Sequence, residues 1–144
     1  MQLIRREFLQ LAGVAAAATG VSPVAIAQSP GPKLTQILRG DLTGQGNVVQ
    51  ESVASIVEFG PGVAAPWHMH PGAQEILYVH EGSLIVEVDG RAPAVIKAGE
   101  AALVPADVPH LARNESATSA ARALAMHSRS AKDKALVVPV KRAS

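Results

Sequence analysis

The feature that most restricts the fold of this chain is its division into short segments of β-branched and small apolar residues, separated by glycine and proline turns. Such short runs between turn residues are typical of β-strands. No segment outside the N-terminal region has the apolar period of an amphipathic helix. The predicted strands are 34–38, 48–59, 67–70, 75–80, 83–88, 94–97, 101–104, 110–113, 121–127 and 135–138. Eight or more short strands in about 110 residues predict an all-β barrel or sandwich.

Composition limits both the core and the partners. The chain has 144 residues, which suggests one domain, and 48 % of them are apolar. A formal net charge of +1 without a basic block argues against nucleic acid as a partner. Cysteine is absent, which excludes disulfides, thiolate metal sites and a cysteine nucleophile.

The N-terminal region has the three-part order of an export signal. Arg5 and Arg6 form a basic end, residues 11–18 form an apolar, alanine-rich run, and Ala25-Ile26-Ala27 forms a small-x-small cleavage pattern before Gln28. The arginine pair resembles the twin-arginine type of signal, which directs export across the bacterial inner membrane.

We therefore expect residues 1–27 to be a cleaved twin-arginine-type signal peptide and the mature protein to be periplasmic or secreted, without a stable membrane anchor. The alternatives are a helix packed on the domain and an uncleaved anchor. The apolar run is short and rich in Ala, Thr and Gly, so it would span a bilayer poorly.

Three histidines and one glutamate have the pattern of a metal site. His68 and His70 are two residues apart on a predicted extended segment, so their side chains leave the same face. Glu75 follows a Pro-Gly turn, and His110 lies beyond two prolines farther along the chain. Imidazole and carboxylate ligands suit one divalent ion among Mn, Fe, Co, Ni, Cu and Zn. Four protein ligands on a six-coordinate ion would leave two positions for other ligands.

Two spaced motifs here resemble those of the cupin family. They read Gly62-x5-His68-x-His70-x4-Glu75-x6-Gly82 and Gly99-x5-Pro105-x-Asp107-x2-His110-x3-Asn114. The second departs from the family pattern, which usually has Gly where this chain has Asp107. Because Asp tolerates a positive φ better than most residues, we expect a local adjustment and an intact ligand set.

This resemblance implies a small cupin double-stranded β-helix barrel of the jelly-roll type, with His68, His70, Glu75 and His110 as metal ligands inside its mouth. Residues 28–46 are expected to be a lead-in and first strand, residues 47–139 the cupin domain and residues 140–144 a tail.

The remaining histidines and aromatics have weaker assignments. If Glu75 points inward, His80 and Tyr78 lie on the other face of their strand, and Trp67 points away from the ligand histidines. His127 lies in an apolar strand, where it is either a residue close to the ligands or a histidine without a functional role.

The resemblance favours a metal-dependent, dioxygenase-like oxidoreductase that acts on a small oxygen-rich organic substrate. The catalytic residues are unknown, with Glu75 a candidate acid or base, and no cofactor besides the metal is expected. The alternatives are a non-catalytic periplasmic protein that binds a metal or a small metabolite, and a structural role without metal. Apolar strand residues on both faces predict a homodimer.

Overall fold

The computed structural model describes residues 31–41 and 48–142, and the regular structure of these residues is entirely β. The strands are β1 (Lys33–Asp41), β2 (Glu51–Phe59), β3 (His68–Met69), β4 (Ala73–Glu81), β5 (Ser83–Val88), β6 (Ala94–Lys97), β7 (Ala101–Val104), β8 (His110–Arg113), β9 (Ala121–Arg129) and β10 (Val138–Pro139). The predicted signal at 1–27 lies outside the described residues. Within the described part, no helix is long and apolar enough to cross a membrane.

The strands form two antiparallel five-stranded sheets. The first, here called the long sheet, has the order β1-β2-β9-β4-β7, and four of its strands have nine residues each. The second, the short sheet, has the order β10-β3-β8-β5-β6, and its strands have two to six residues. Two such sheets around one core form a jelly-roll barrel, so the predicted all-β barrel of the jelly-roll type is confirmed.

The core follows from strict alternation along the long strands. In β2, β4 and β9 every second residue is buried, as expected when one face of an antiparallel sheet covers the core. Val79 from the long sheet and Leu84 from the short sheet are fully enclosed between the sheets. Burial of each such side chain contributes roughly 1.5–3 kcal/mol. These contacts hold the two sheets together around the site.

Every predicted strand has a counterpart whose boundaries agree within two residues, except for β1, which ends at Asp41, and for β2 and β10. β2 begins at Glu51, and β10 lies later than the predicted strand at 135–138. The difference at β10 has a physical cause, because the Arg129 guanidinium donates hydrogen bonds to the carbonyls of Lys132 and Lys134 at 3.0 and 2.8 Å. These bonds hold the segment before β10 as a loop.

Candidate metal centre

The three motif histidines meet where strands of the short sheet begin. His68 and His110 are direct cross-strand partners on β3 and β8, and His70 immediately follows β3. The ring centroids of His68 and His110 are 4.3 Å apart, and that of His70 lies 5.0 Å from each. The structure thus brings together three imidazoles that the sequence separates by 42 residues.

Each of these imidazoles is oriented by a backbone carbonyl. The Nδ1 atoms of His68, His70 and His110 lie 2.7, 2.7 and 2.9 Å from the carbonyl oxygens of Pro66, Leu136 and Val108, respectively. Because a carbonyl only accepts, each Nδ1 must carry a proton and donate it. In the neutral ring the Nε2 lone pair is then free to bind a metal, which is the usual arrangement of histidine ligands.

Glu75 completes the set from the opposite sheet. It lies on β4 and is buried, with Oε2 3.1 Å from His110 Nε2 and 3.5 Å from His70 Nε2. Burial raises the pKa of Glu75, but its hydrogen bonds with His110 and His70 outweigh the effect of burial and hold the pKa far below its usual range. The carboxylate is therefore ionised in the metal-free protein.

The donor set fits a divalent metal. With Nδ1 protonated, an imidazole that is neutral would present its Nε2 lone pair to a carboxylate oxygen that also only accepts. Acceptors about 3 Å apart repel unless a cation or a proton lies among them. That separation is also the one expected for neighbouring ligands at metal–ligand distances of roughly 2.1 Å. His68, His70 and His110 have ligand atoms within 4.8 Å of one another.

Asp107 adopts the conformation that the sequence predicted for it. Its φ is 63°, in the left-handed region where Gly is usual. Its carboxylate oxygen accepts a hydrogen bond from the backbone of Gly72 at 3.0 Å, and its own N–H donates to the carbonyl of His70 at 3.2 Å. Asp at this position therefore adds a side-chain bond, which a Gly could not make, beside a candidate ligand.

A cavity of about 340 Å³ leads to this cluster. All four predicted ligands line it, and most of the other lining side chains are apolar, including Val53, Leu77 and Val104. β1 adds Gln36 and Arg39 to the wall, and nothing in the sequence had marked them as site residues. Only the pairing of β1 with β2 places them there.

His127 also belongs to the site, which sequence reasoning left open. It faces Glu75 directly across the β4–β9 pair, and its Nε2 lies 3.2 Å from His70 Nε2 and 3.5 Å from Glu75 Oε1. Burial lowers the pKa of His127 to about 4. Strand alternation could have placed it on an inner face, but only the register puts it beside Glu75. His80 and Tyr78 are on the exposed face of β4, as predicted.

Known proteins share this fold and parts of the sequence. The chain is 34% identical to oxalate oxidase GF-2.8 of Triticum aestivum over 79 residues, which are 50% of this chain and 35% of that protein. It thus spans about a third of the length of the curated oxalate oxidases it matches. A solved oxalate oxidase in complex with the substrate analogue glycolate matches with 25% identity and a TM-score of 0.58, over 72% of this chain and 54% of that one.

A double-stranded β-helix protein from Klebsiella pneumoniae has a TM-score of 0.57 at 18% identity, over 72% of this chain and 76% of that one, and so shows the fold alone. The family model of the cupin domain matches residues 55–127. This range includes all five residues of the His and Glu cluster, which are His68, His70, Glu75, His110 and His127. With half of its length matched by that model, the chain belongs to the cupin domain family.

Proposed function

We propose that this chain is an exported, metal-dependent cupin oxidoreductase that acts on a small oxygen-rich organic acid. The observation that carries the proposal is the convergence of three imidazole Nε2 atoms and one carboxylate, with each Nδ1 bound to a carbonyl. His68, His70, Glu75 and His110 would hold the ion. A bound divalent metal would polarise an oxygen donor and, if redox-active, mediate electron transfer to O₂.

The residues of the chain orient the ligands and exclude water. The carbonyl partners fix the three rings without using another side chain. The apolar wall of the cavity lowers the local dielectric, which strengthens any charge interaction there. Glu75 is the candidate acid or base, because its carboxylate faces the same cavity.

Two observations support a small organic acid as the substrate. The relatives include oxalate oxidases, one of them solved with glycolate. Among the described residues that line the cavity, Arg39 is the single Arg or Lys. Its guanidinium lies 3.3 Å from Glu51, but Glu51 is already paired with Arg129 at 2.5 Å, so Arg39 brings an excess positive charge. Arginine is well suited to bind a carboxylate through two hydrogen bonds.

Oxygen consumption by metal-loaded protein tests the activity. The mature protein should be loaded separately with Mn²⁺, Fe²⁺, Co²⁺, Ni²⁺, Cu²⁺ and Zn²⁺ and supplied with oxalate, glycolate and a panel of diols and enediols. We expect O₂ uptake with at least one acid, a rise in KM in Arg39→Gln and no activity in His110→Ala. No uptake with any metal and substrate would contradict the proposal.

A non-catalytic binder is the second candidate, and the largely apolar cavity wall favours it. Apart from the His and Glu cluster, few polar groups line the cavity to direct a reaction. Titration calorimetry of the metal-loaded protein with the same panel would show tight binding without O₂ uptake in this case.

We also propose twin-arginine export, on the basis of Arg5 and Arg6. Folding before export would let the cytoplasmic metal supply choose the ion, because copper and zinc otherwise outcompete manganese and iron for such ligands. The double variant Arg5→Lys with Arg6→Lys should keep the protein in the cytoplasmic fraction. Elemental analysis of fresh, unchelated periplasmic protein should find a metal, and its absence would contradict loading before export.

A homodimer through the outer face of the long sheet is the proposed assembly. Leu103, Ile76 and Met126 are cross-strand neighbours there and are 55%, 38% and 36% exposed. A contiguous apolar row on a solvent-facing sheet is typical of an interaction surface. Light scattering should give the mass of two mature chains, and Ile76→Lys should give that of one. A monomeric wild type would contradict the dimer.

A further inference from the structure

His127 lies among the candidate metal ligands, but neither of the two cupin motifs includes it. Its side chain is only 4% exposed, and its ring packs on that of His70 with a centroid distance of 4.3 Å. Its Nε2 lies close to both His70 and Glu75, and the ligand atoms of these three residues lie within 4.8 Å of one another. A buried imidazole so close to candidate ligands must interact with them.

What separates His127 from the other three imidazoles is its Nδ1 atom. His68, His70 and His110 each donate Nδ1–H to a loop carbonyl. The Nδ1 of His127 is buried without a hydrogen-bond partner among the described residues. The cause is its place on β9, a strand paired on both sides, where backbone carbonyls are engaged in the sheet.

The missing partner determines which nitrogen carries the proton. A buried N–H without an acceptor costs about 1–3 kcal/mol, so a neutral His127 is protonated on Nε2, where acceptors are available. Two atoms lie within reach, His70 Nε2 at 3.2 Å and Glu75 Oε1 at 3.5 Å. If a metal occupies the lone pair of His70, Glu75 Oε1 is the acceptor that remains.

We propose that His127 is a positioning residue for the metal ligand Glu75, donating Nε2–H to Oε1 so that only Oε2 is directed at the metal. The proposal rests on the metal site of the proposed function. Its geometric support is that Oε2, and not Oε1, is the atom that contacts His70 and His110. A carboxylate held to one oxygen leaves more of the coordination sphere for a substrate that binds through two oxygens.

Spectroscopy of Co²⁺-loaded protein tests the proposal without an activity assay. His127→Leu should still bind about one Co²⁺ per chain, with a changed visible absorption spectrum and about 10–100-fold weaker affinity in competition with a chelator. His127→Asn and His127→Gln each retain an N–H donor and should restore part of the wild-type spectrum and affinity. His80→Leu removes an exposed histidine from the outer face of β4 and should leave both unchanged.

Three results would overturn the proposal in different ways. Loss of Co²⁺ from His127→Leu as complete as from His110→Ala would make His127 a ligand. A wild-type spectrum and affinity in His127→Leu and His127→Asn, with only a lower melting temperature, would make its role purely structural. Failure of the wild type to bind any divalent ion would overturn the proposed function and this inference with it.

Discussion

The two sheets contribute to the site in different ways. The short sheet supplies the three imidazoles whose Nδ1 atoms bind carbonyls, and the long sheet supplies Glu75 and His127. In the short sheet the candidate ligands lie at strand ends, where loop carbonyls such as that of Leu136 are free to accept. In the long sheet the site residues lie within strands paired on both sides, so their neighbouring carbonyls are already used.

This difference shows how strand length determines the chemistry that a position can support. A strand end can offer a histidine together with the carbonyl that sets its tautomer. A position in the middle of a strand paired on both sides holds a side chain precisely. An imidazole there must form its hydrogen bonds with other side chains, because the neighbouring backbone carbonyls are already bonded. The three candidate imidazole ligands, whose Nε2 lone pairs must remain free for a metal, accordingly come from the short sheet.

The largest expected effect is the fall in metal affinity when a candidate ligand of the short sheet is removed. His110→Ala should lower metal affinity by more than the about 10–100-fold expected for a residue that only hydrogen-bonds a ligand. His80→Ala is the matched control, and its metal content should equal that of the wild type in elemental analysis. An unchanged metal content in His110→Ala would remove His110 from the ligand set.

The next effect concerns the buried charge pair that ties the long sheet to the loop before β10. Arg129 and Glu51 are both buried and 2.5 Å apart. Arg129→Met should lower the free energy of unfolding by about 3 kcal/mol, because it removes the main partner of a buried carboxylate. Adding Glu51→Gln should recover part of this loss in urea titrations. If Arg129→Met alone were as stable as the wild type, the ion pair with Arg39 would be sufficient to stabilise the buried carboxylate of Glu51.

Metal affinity should fall in the same Arg129 variant. The loop that Arg129 holds carries Leu136, whose carbonyl orients His70. An unchanged chelator competition curve would show that the carbonyl of Leu136 is held independently of the long sheet.

Lower pH should destabilise the metal-free protein. Burial lowers the pKa of His127 from its ordinary 6.5 to about 4, and burial also lowers that of His68. Between pH 6.5 and 4 the unfolded chain therefore binds protons that the folded chain does not, so stability falls as the pH falls. We expect a loss of about 1–2 kcal/mol between pH 7.5 and 5. His127→Leu should show a smaller loss, and an identical pH profile would contradict this origin.

The smallest expected change in the free energy of unfolding is that of substitutions at Asp107. Asp107→Gly relieves the left-handed backbone but removes the bond to Gly72, so the unfolding free energy should change by less than about 1 kcal/mol. Asp107→Ala keeps the strain and loses the bond, so it should cost about 1–2 kcal/mol. Equal stabilities of the two variants in thermal unfolding would show that the backbone angle carries no cost there.

Much of the fold was predictable from local signals. Turn residues and alternation located the strands, and two spaced motifs indicated His68, His70, Glu75 and His110. The positive φ of Asp107 was also predictable, because it depends on a single residue type in a turn.

The position of His127 beside Glu75, the carbonyl of Leu136 on His70 and the place of Arg39 in the cavity wall came only from the tertiary structure. Each depends on a register or a loop path that joins segments far apart in the chain. The local sequence determines on which face of a strand a side chain lies, because side chains alternate with a period of two residues. It does not determine which residues of other strands and loops contact that face, because those contacts depend on the packing of the whole barrel.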